Sequence, residues 1–386
     1  MSRVAVKESV LRWAVERAGF NLVSLKNTYP KIQQWATGDI QPTLKQLEGL
    51  AKKTHTPLGF LFLDSPPEDT LPIPHFREVK SGKSIRPSPD LIDTVFAMQR
   101  RQNWMREYLI EQGQDALSFV NSAKPGIAPA EAADRLRRAL QLDEDWASHQ
   151  NTWTDALGAL REAMESAGIM VVVNGVVGNN THRKLVVSEF RGFVLVDEYS
   201  PLVFLNGADG KAAQMFTLAH EMAHILFGSS AAFDLRELQP ADDPTERACN
   251  QVAAEFLVPE QLLRKTWPSL NSAKEPFNEI ARKFKVSNIV AARRALDLGL
   301  ISRDAFFGFY NEYVENERGT AARNKGKEAK IKRHILHNLR IGKRFAAAVG
   351  RSALEGTTSY SQAFHLTGLY GSSFDKYMAY LGIEGA

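Results

Sequence analysis

At 386 residues the chain is longer than one small core requires, and its length fits two or three domains. Hydrophobic residues make up 44% and charged residues 24%, which excludes a wholly disordered or collagen-like protein. The formal charge of +4 is too small to argue for nucleic-acid binding, but it is uneven: residues 1–65 carry nine Lys/Arg against five Asp/Glu, and 323–344 nine against one, so any polyanion-binding surface is local.

Taken in chain order, Val10 to Ala18 and Thr43 to Lys52 have helical apolar spacing, with a shorter segment ending Trp35-Ala36-Thr37-Gly38 between them. Ser65-Pro66-Pro67 through Pro72-Ile73-Pro74 reads as an extended linker, because each proline removes a donor and biases its predecessor away from helix. Pro89 to Glu111 and Pro129 to Ala167 are helical again. The period then changes: Ile169–Val173, Leu185–Val187, Phe193–Val196 and Leu202–Leu205 are β-branched or aromatic runs between Gly, Asn and Pro, and read as strands. Asp197 to Pro201 reads as a hairpin loop. After Gly210 the pattern is helical to the end, through the basic tract 323–344 and an aromatic-bearing tail over 345–378. The expected class is α+β: mostly helical, with a small antiparallel sheet packed on one central helix and all-α modules at both ends. The expected domains are 1–65, a connector over 66–125, a core over 126–310 and a basic helical module over 311–386.

The most specific feature is His220-Glu221-Met222-Ala223-His224. On a helix His224 lies about 40° from His220, so both imidazoles reach one ion, while Glu221 lies about 100° round. Met215, Leu218, Met222, Ile225 and Leu226 form a core-facing stripe on the far side, and Gly228 is placed to stop the helix. This is the H-E-x-x-H arrangement of a zinc hydrolase, which needs a third protein ligand and one open position. A second helix follows from Asp243-Pro244. Its Glu246 has two readings: a metal ligand, or a residue capping its own helix, since Asp243 three residues earlier and Pro244 make a capping-box-like start. Glu255 and Asp242 are weaker ligand candidates. Cys249, the chain's only cysteine, reads mainly as a buried apolar residue, with a redox or ligand role as the alternative. A single cysteine permits no internal disulfide and fits a cytoplasmic protein. No apolar run approaches the ~20 residues of a membrane span, so no membrane partner is expected, and the opening MSRVAVKESVLRW lacks a signal-peptide core.

Phe216 to His224, followed by Glu246-Arg247-Ala248-Cys249-Asn250 and Ala253 to Pro259, resembles the ImmA/IrrE family of zinc metallopeptidases over about residues 167–302. The resemblance implies Zn²⁺ held by His220, His224 and Glu246, with Glu221 as catalytic base; the same donor set also accepts Mn²⁺ or Fe²⁺. It implies a protein substrate, a transcriptional repressor or antitoxin, whose cleavage controls gene expression. The strands just before the zinc helix lead us to expect that an extended substrate adds to a strand edge at Val194, Leu195 and Val196.

Residues 11–63 resemble an Xre-type helix-turn-helix, through Leu11 to Ala14, Gly19, Trp35 to Gly38, Pro42 to Leu44, Leu47, Leu50 and Ala51. The stretch between Gly19 and Trp35 is about four residues short and carries Tyr29-Pro30 at the turn, which departs from the geometry a groove-reading helix needs. If the module binds DNA, Lys26, Lys31, Gln33 and Gln34 are its groove-facing residues. The tract 323–344 is a second candidate for DNA, and Ile280 to Leu296 has a helix-turn-helix-like pattern that reads as scaffold. The competing function is a DNA-binding regulator or antitoxin-like protein whose metal site is structural or inactive.

Overall fold

The computed structural model describes residues 3–67, 87–233, 243–270, 275–323 and 332–383. Side chains of 231–233 and 316–323 are outside this description, as are Asp242, 68–74 of the proline-rich linker and 324–331 of the basic tract. The described residues form two compact units, one of 3–67 with 87–97 and one of 98–383. Among them no helix is long and apolar enough to cross a membrane.

The first unit holds α1 (Glu8–Arg17), α2 (Ile32–Thr37) and α3 (Leu44–Thr54). Leu11, Val15, Leu25, Ile32, Trp35 and Leu50 make one buried cluster of this unit, and Val10, Trp13, Ala14, Leu47 and Leu61 another. Thr43 starts α3 with a full capping box, its hydroxyl accepting from Gln46 N and the Gln46 side chain accepting from Thr43 N. The compressed stretch has a visible consequence. Residues 22–28 are turns instead of a helix, and α2 has six residues. Lys26, Lys31, Gln33 and Gln34 are all exposed. Helix α4 (Pro89–Glu111) begins in this unit and ends in the other.

In the second unit, α5 (Pro129–Leu140) and α6 (Trp153–Ser166) precede β1 (Met170–Asn174), β2 (Val176–Val177), β3 (Asn180–Lys184), β4 (Gly192–Leu195) and β5 (Leu202–Asn206). Then come α7 (Lys211–Phe227), β6 (Ala231–Phe233), α8 (Pro244–Leu257), α9 (Glu260–Leu270), α10 (Pro276–Phe284), α11 (Asn288–Asp297) and α12 (Arg303–Arg323). The end of the chain is α13 (Arg333–Ile341), α14 (Lys343–Leu354), α15 (Tyr360–Thr367) and α16 (Ser372–Tyr380). The mostly helical α+β class is as expected.

The sheet differs in three details. Its order is β1-β5-β4-β6, and β1 runs parallel to β5, so it is mixed and not antiparallel. The excursion through the separate β2–β3 pair lets the chain enter β4 in the sense that leaves β5 aligned with β1. Leu185–Val187 is not a strand; the pairing segment is the polar β3 just before it. Ala231–Phe233, three residues with no alternating pattern, add to β4 as a strand. The 197–201 hairpin loop is present, with Asp197 Oδ1 accepting from the backbone N–H groups of Tyr199 and Ser200.

Helix α7 packs on β4 and β5. Its apolar stripe is fully buried, but so is its polar face, because α8 lies across it. The close approach to the sheet depends on Gly192. A Cβ there would lie 2.7 Å from Thr217 Cγ2, 2.9 Å from Phe204 O and 3.4 Å from Glu221 Oε1. Gly228 ends α7 at φ 75°, in the left-handed region that favours glycine. The connector then satisfies carbonyls of the last turn, with Asn121 N–H donating to Ile225 O and Ala123 N–H to Leu226 O.

Candidate metal centre

Helix α7 carries His220 and His224 on successive turns, and their Nε2 atoms are 3.0 Å apart. Helix α8 brings Glu246 to both: Oε2 is 3.1 Å from His220 Nε2, and Oε1 is 3.2 Å from His224 Nε2. The two readings of Glu246 therefore separate. Asp243 alone caps α8, its Oδ1 accepting from Thr245 N and Glu246 N, while the Glu246 side chain turns to the imidazoles. Glu255 does not join them. Its carboxylate pairs with buried Arg294 and accepts from Glu260 N, and its backbone carbonyl accepts from Arg137. These cations at the C-terminal end of α8 anchor the helix. Arg294, being buried and engaged, also supports the reading of the 280–296 segment as scaffold.

Each imidazole is held from behind. His220 Nδ1 donates to Asn250 Oδ1 at 3.0 Å, since that oxygen only accepts, and His224 Nδ1 lies 2.9 Å from Ser229 Oγ. Both Nε2 atoms can thus turn their lone pairs inward. Sequence reasoning assigned no role to either partner. Asn250, one turn after Glu246, could have been found by its spacing; Ser229, just past the glycine stop, could not.

The residues fit a small divalent cation. Two inward lone pairs and a carboxylate this close repel one another unless a cation lies among them. A four-coordinate ion with donors at 2.0–2.1 Å would set the donors about 3.3 Å apart, close to the observed triangle. The electrostatics agree: burial pushes His220 down to about 4. For Glu246, burial acts upward but its two imidazole neighbours outweigh it, holding the carboxyl down at about 2. Glu221 is fully buried, and neither oxygen has a hydrogen-bond partner among the described residues. Burial, and then the Glu246 charge, push its pKa well up. Cys249 is also buried, with Sγ and the imidazole nitrogens within 4.8 Å of one another.

The expected substrate edge is not where Val194 to Val196 were placed. Strand β4 is interior, paired with β5 on one side and β6 on the other, and Val196 N–H donates to Ser230 Oγ. Its backbone has no free edge for another strand, because the unforeseen β6 occupies it. The end strand of the sheet on this side is β6.

A helix bearing two imidazoles and a glutamate, faced by a second helix that supplies a carboxylate, defines the H-E-x-x-H class of hydrolase folds. Residues 164–296 match the family described as Peptidase_M78, IrrE N-terminal-like domain, so this part of the chain carries a peptidase-type domain. Residues 341–380 match a domain of unknown function, DUF8813. No curated protein matches the chain.

Proposed function

We propose that the protein is a cytoplasmic zinc-dependent endopeptidase that cleaves a transcriptional repressor or antitoxin, and so controls gene expression. The observation that carries this is the convergence of His220, His224 and Glu246 within 3.0–3.2 Å beside a buried Glu221 that has no hydrogen-bond partner among the described residues.

His220, His224 and Glu246 would hold Zn²⁺, which supplies Lewis acidity toward a peptide carbonyl and acidifies water. Asn250 and Ser229 keep both imidazoles in the tautomer that binds. Glu221 takes the proton of the attacking water and delivers it to the leaving amine; burial and then the Glu246 charge hold its carboxyl above the ordinary range. The end strand β6 is the edge on which an extended substrate can align its backbone. The exposed Lys26, Lys31, Gln33 and Gln34 would give the N-terminal module a DNA contact, and the basic residues of 323–344 a second one.

The test incubates the zinc-loaded full chain with repressors and antitoxins encoded near its gene. Cleavage by the wild type should stop with a chelator, and Glu221→Gln should keep its metal while losing at least ~10²-fold in rate. A Glu221→Gln protein that cleaves as fast as the wild type would overturn the assignment. Shifted DNA with no cleavage of any candidate, and no effect of Glu221→Gln, would favour the regulator with a structural metal site.

A further inference from the structure

One donor-bearing side chain at the centre is left without a task. Glu246, Cys249 and Asn250 lie within little more than one turn of α8. Glu246 meets both imidazoles and Asn250 meets one from behind. Cys249 sits between them, fully buried, with Sγ inside the same 4.8 Å span as the His220 and His224 nitrogens. Cys249 is thus both a member of the buried core and within reach of the imidazole pair. We propose that Cys249 is a fourth protein donor to the metal, giving the resting centre the closed set His220, His224, Glu246 and Cys249.

The proposal rests on the metallopeptidase reading and adds a control to it. Catalytic zinc keeps an open position, whereas a site closed by four protein donors is structural in type. A centre that closes on Cys249 is silent until the thiolate leaves, which suits an enzyme whose indiscriminate action on other proteins would be damaging. The chemistry balances: a sulfur–metal bond forms, the S–H bond breaks, and the thiol proton is released to solvent as the cation binds. In the absence of metal, burial and the nearby carboxylates hold the thiol proton firmly; a divalent cation reverses that local balance and deprotonates a coordinating thiol. A thiolate donor also favours zinc over manganese or iron. The same burial argues against Cys249 as an exposed redox sensor.

The test uses Co²⁺ as the probe in the full-length, metal-stripped chain. Since Cys249 is the only cysteine, a near-ultraviolet thiolate-to-cobalt absorption band can come from no other residue. We expect that band in the wild type and its loss in Cys249→Ser and Cys249→Ala, with the visible cobalt bands kept in all three and far-ultraviolet circular dichroism unchanged. Visible bands without the near-ultraviolet band in the wild type would overturn the proposal and leave the His₂Glu centre standing. Wild-type protein that binds no Co²⁺, or binds it equally well as His220→Ala, would overturn the metal-centre reading and the proposal with it.

Discussion

Glu221 is buried without a hydrogen-bond partner among the described residues, and such a group costs stability for as long as it is charged. Its folded pKa lies above the ordinary 4.5, so the metal-free native state keeps a proton that the unfolded chain has lost. The resulting stabilisation is complete below about 4.5 and is lost as pH rises. Glu221→Gln removes this dependence. The metal-free variant should be more stable than the wild type at pH 7–8, by about 1–3 kcal/mol, and the gap should narrow toward pH 4.5. Melting temperatures across that range check it; an equal melting temperature at every pH would contradict it. His220, lowered to about 4, and Glu246, lowered to about 2, act in the opposite sense, losing stability on acidification, but they are common to both proteins and cancel in the difference. The histidines and Glu221 were legible in the sequence because one helix fixes their mutual angle. Glu246 was ambiguous, since an acidic residue three after Asp243 suits a cap as well as a ligand, and only the meeting of two helices decides. Ser229 was invisible, as a serine after a helix-ending glycine has no distinctive pattern.

Among the elements, the contact of α7 with β4 sets where Glu221 lies, and Gly192 permits it. Gly192→Ala would place its Cβ against Thr217 Cγ2 of α7 and the Phe204 carbonyl of β5; the β-branched Thr217 side chain is stiff and the β5 backbone cannot yield, so α7 must shift. We expect a loss of about 1–3 kcal/mol and a larger fractional loss of cleavage than of folded protein. Unchanged activity would show that α7 is not positioned through this glycine. The α7 helix and the β4–β5 hairpin were readable from their periods and turn residues. The mixed sheet was not, because strand direction depends on the path of the β2–β3 excursion. Nor was β6, because three small or aromatic residues carry no period. Its presence moves the open edge away from Val194–Val196, a change that no pattern within β4 could disclose.

For the molecule as a whole, the C-terminal helices are integral to the second unit. Helix α13 packs on β1, Arg340 Nη1 donates to Asn179 Oδ1, and Arg344 donates to the Gly168 carbonyl. Half-buried Arg101 of α4 donates through Nε to Leu366 O and through Nη1 to Arg340 O, both at 2.8 Å, and lies over the Phe345 ring. Burial lowers its pKa to about 10, which still leaves it charged at neutral pH. Arg101→Ala strips two carbonyls of their donor and should cost about 1–3 kcal/mol, read as faster amide hydrogen exchange confined mainly to 333–383. Uniform exchange rates in the variant and the wild type would show that the tie is dispensable. The sequence marked this region as a basic, aromatic-bearing helical tail, but an arginine some 240 residues upstream cannot be matched to its partners by spacing.

The central claim is that one divalent metal ion is shared by His220, His224 and Glu246, and competitive titration with a chromogenic chelator tests it most directly. Zinc affinity should be preserved in Glu221→Gln, fall 10–100-fold in Asn250→Ala, as for a residue that supports a ligand, and fall by more than about 100-fold in His220→Ala and Glu246→Ala. A Glu246→Ala protein that binds zinc as tightly as the wild type would contradict it.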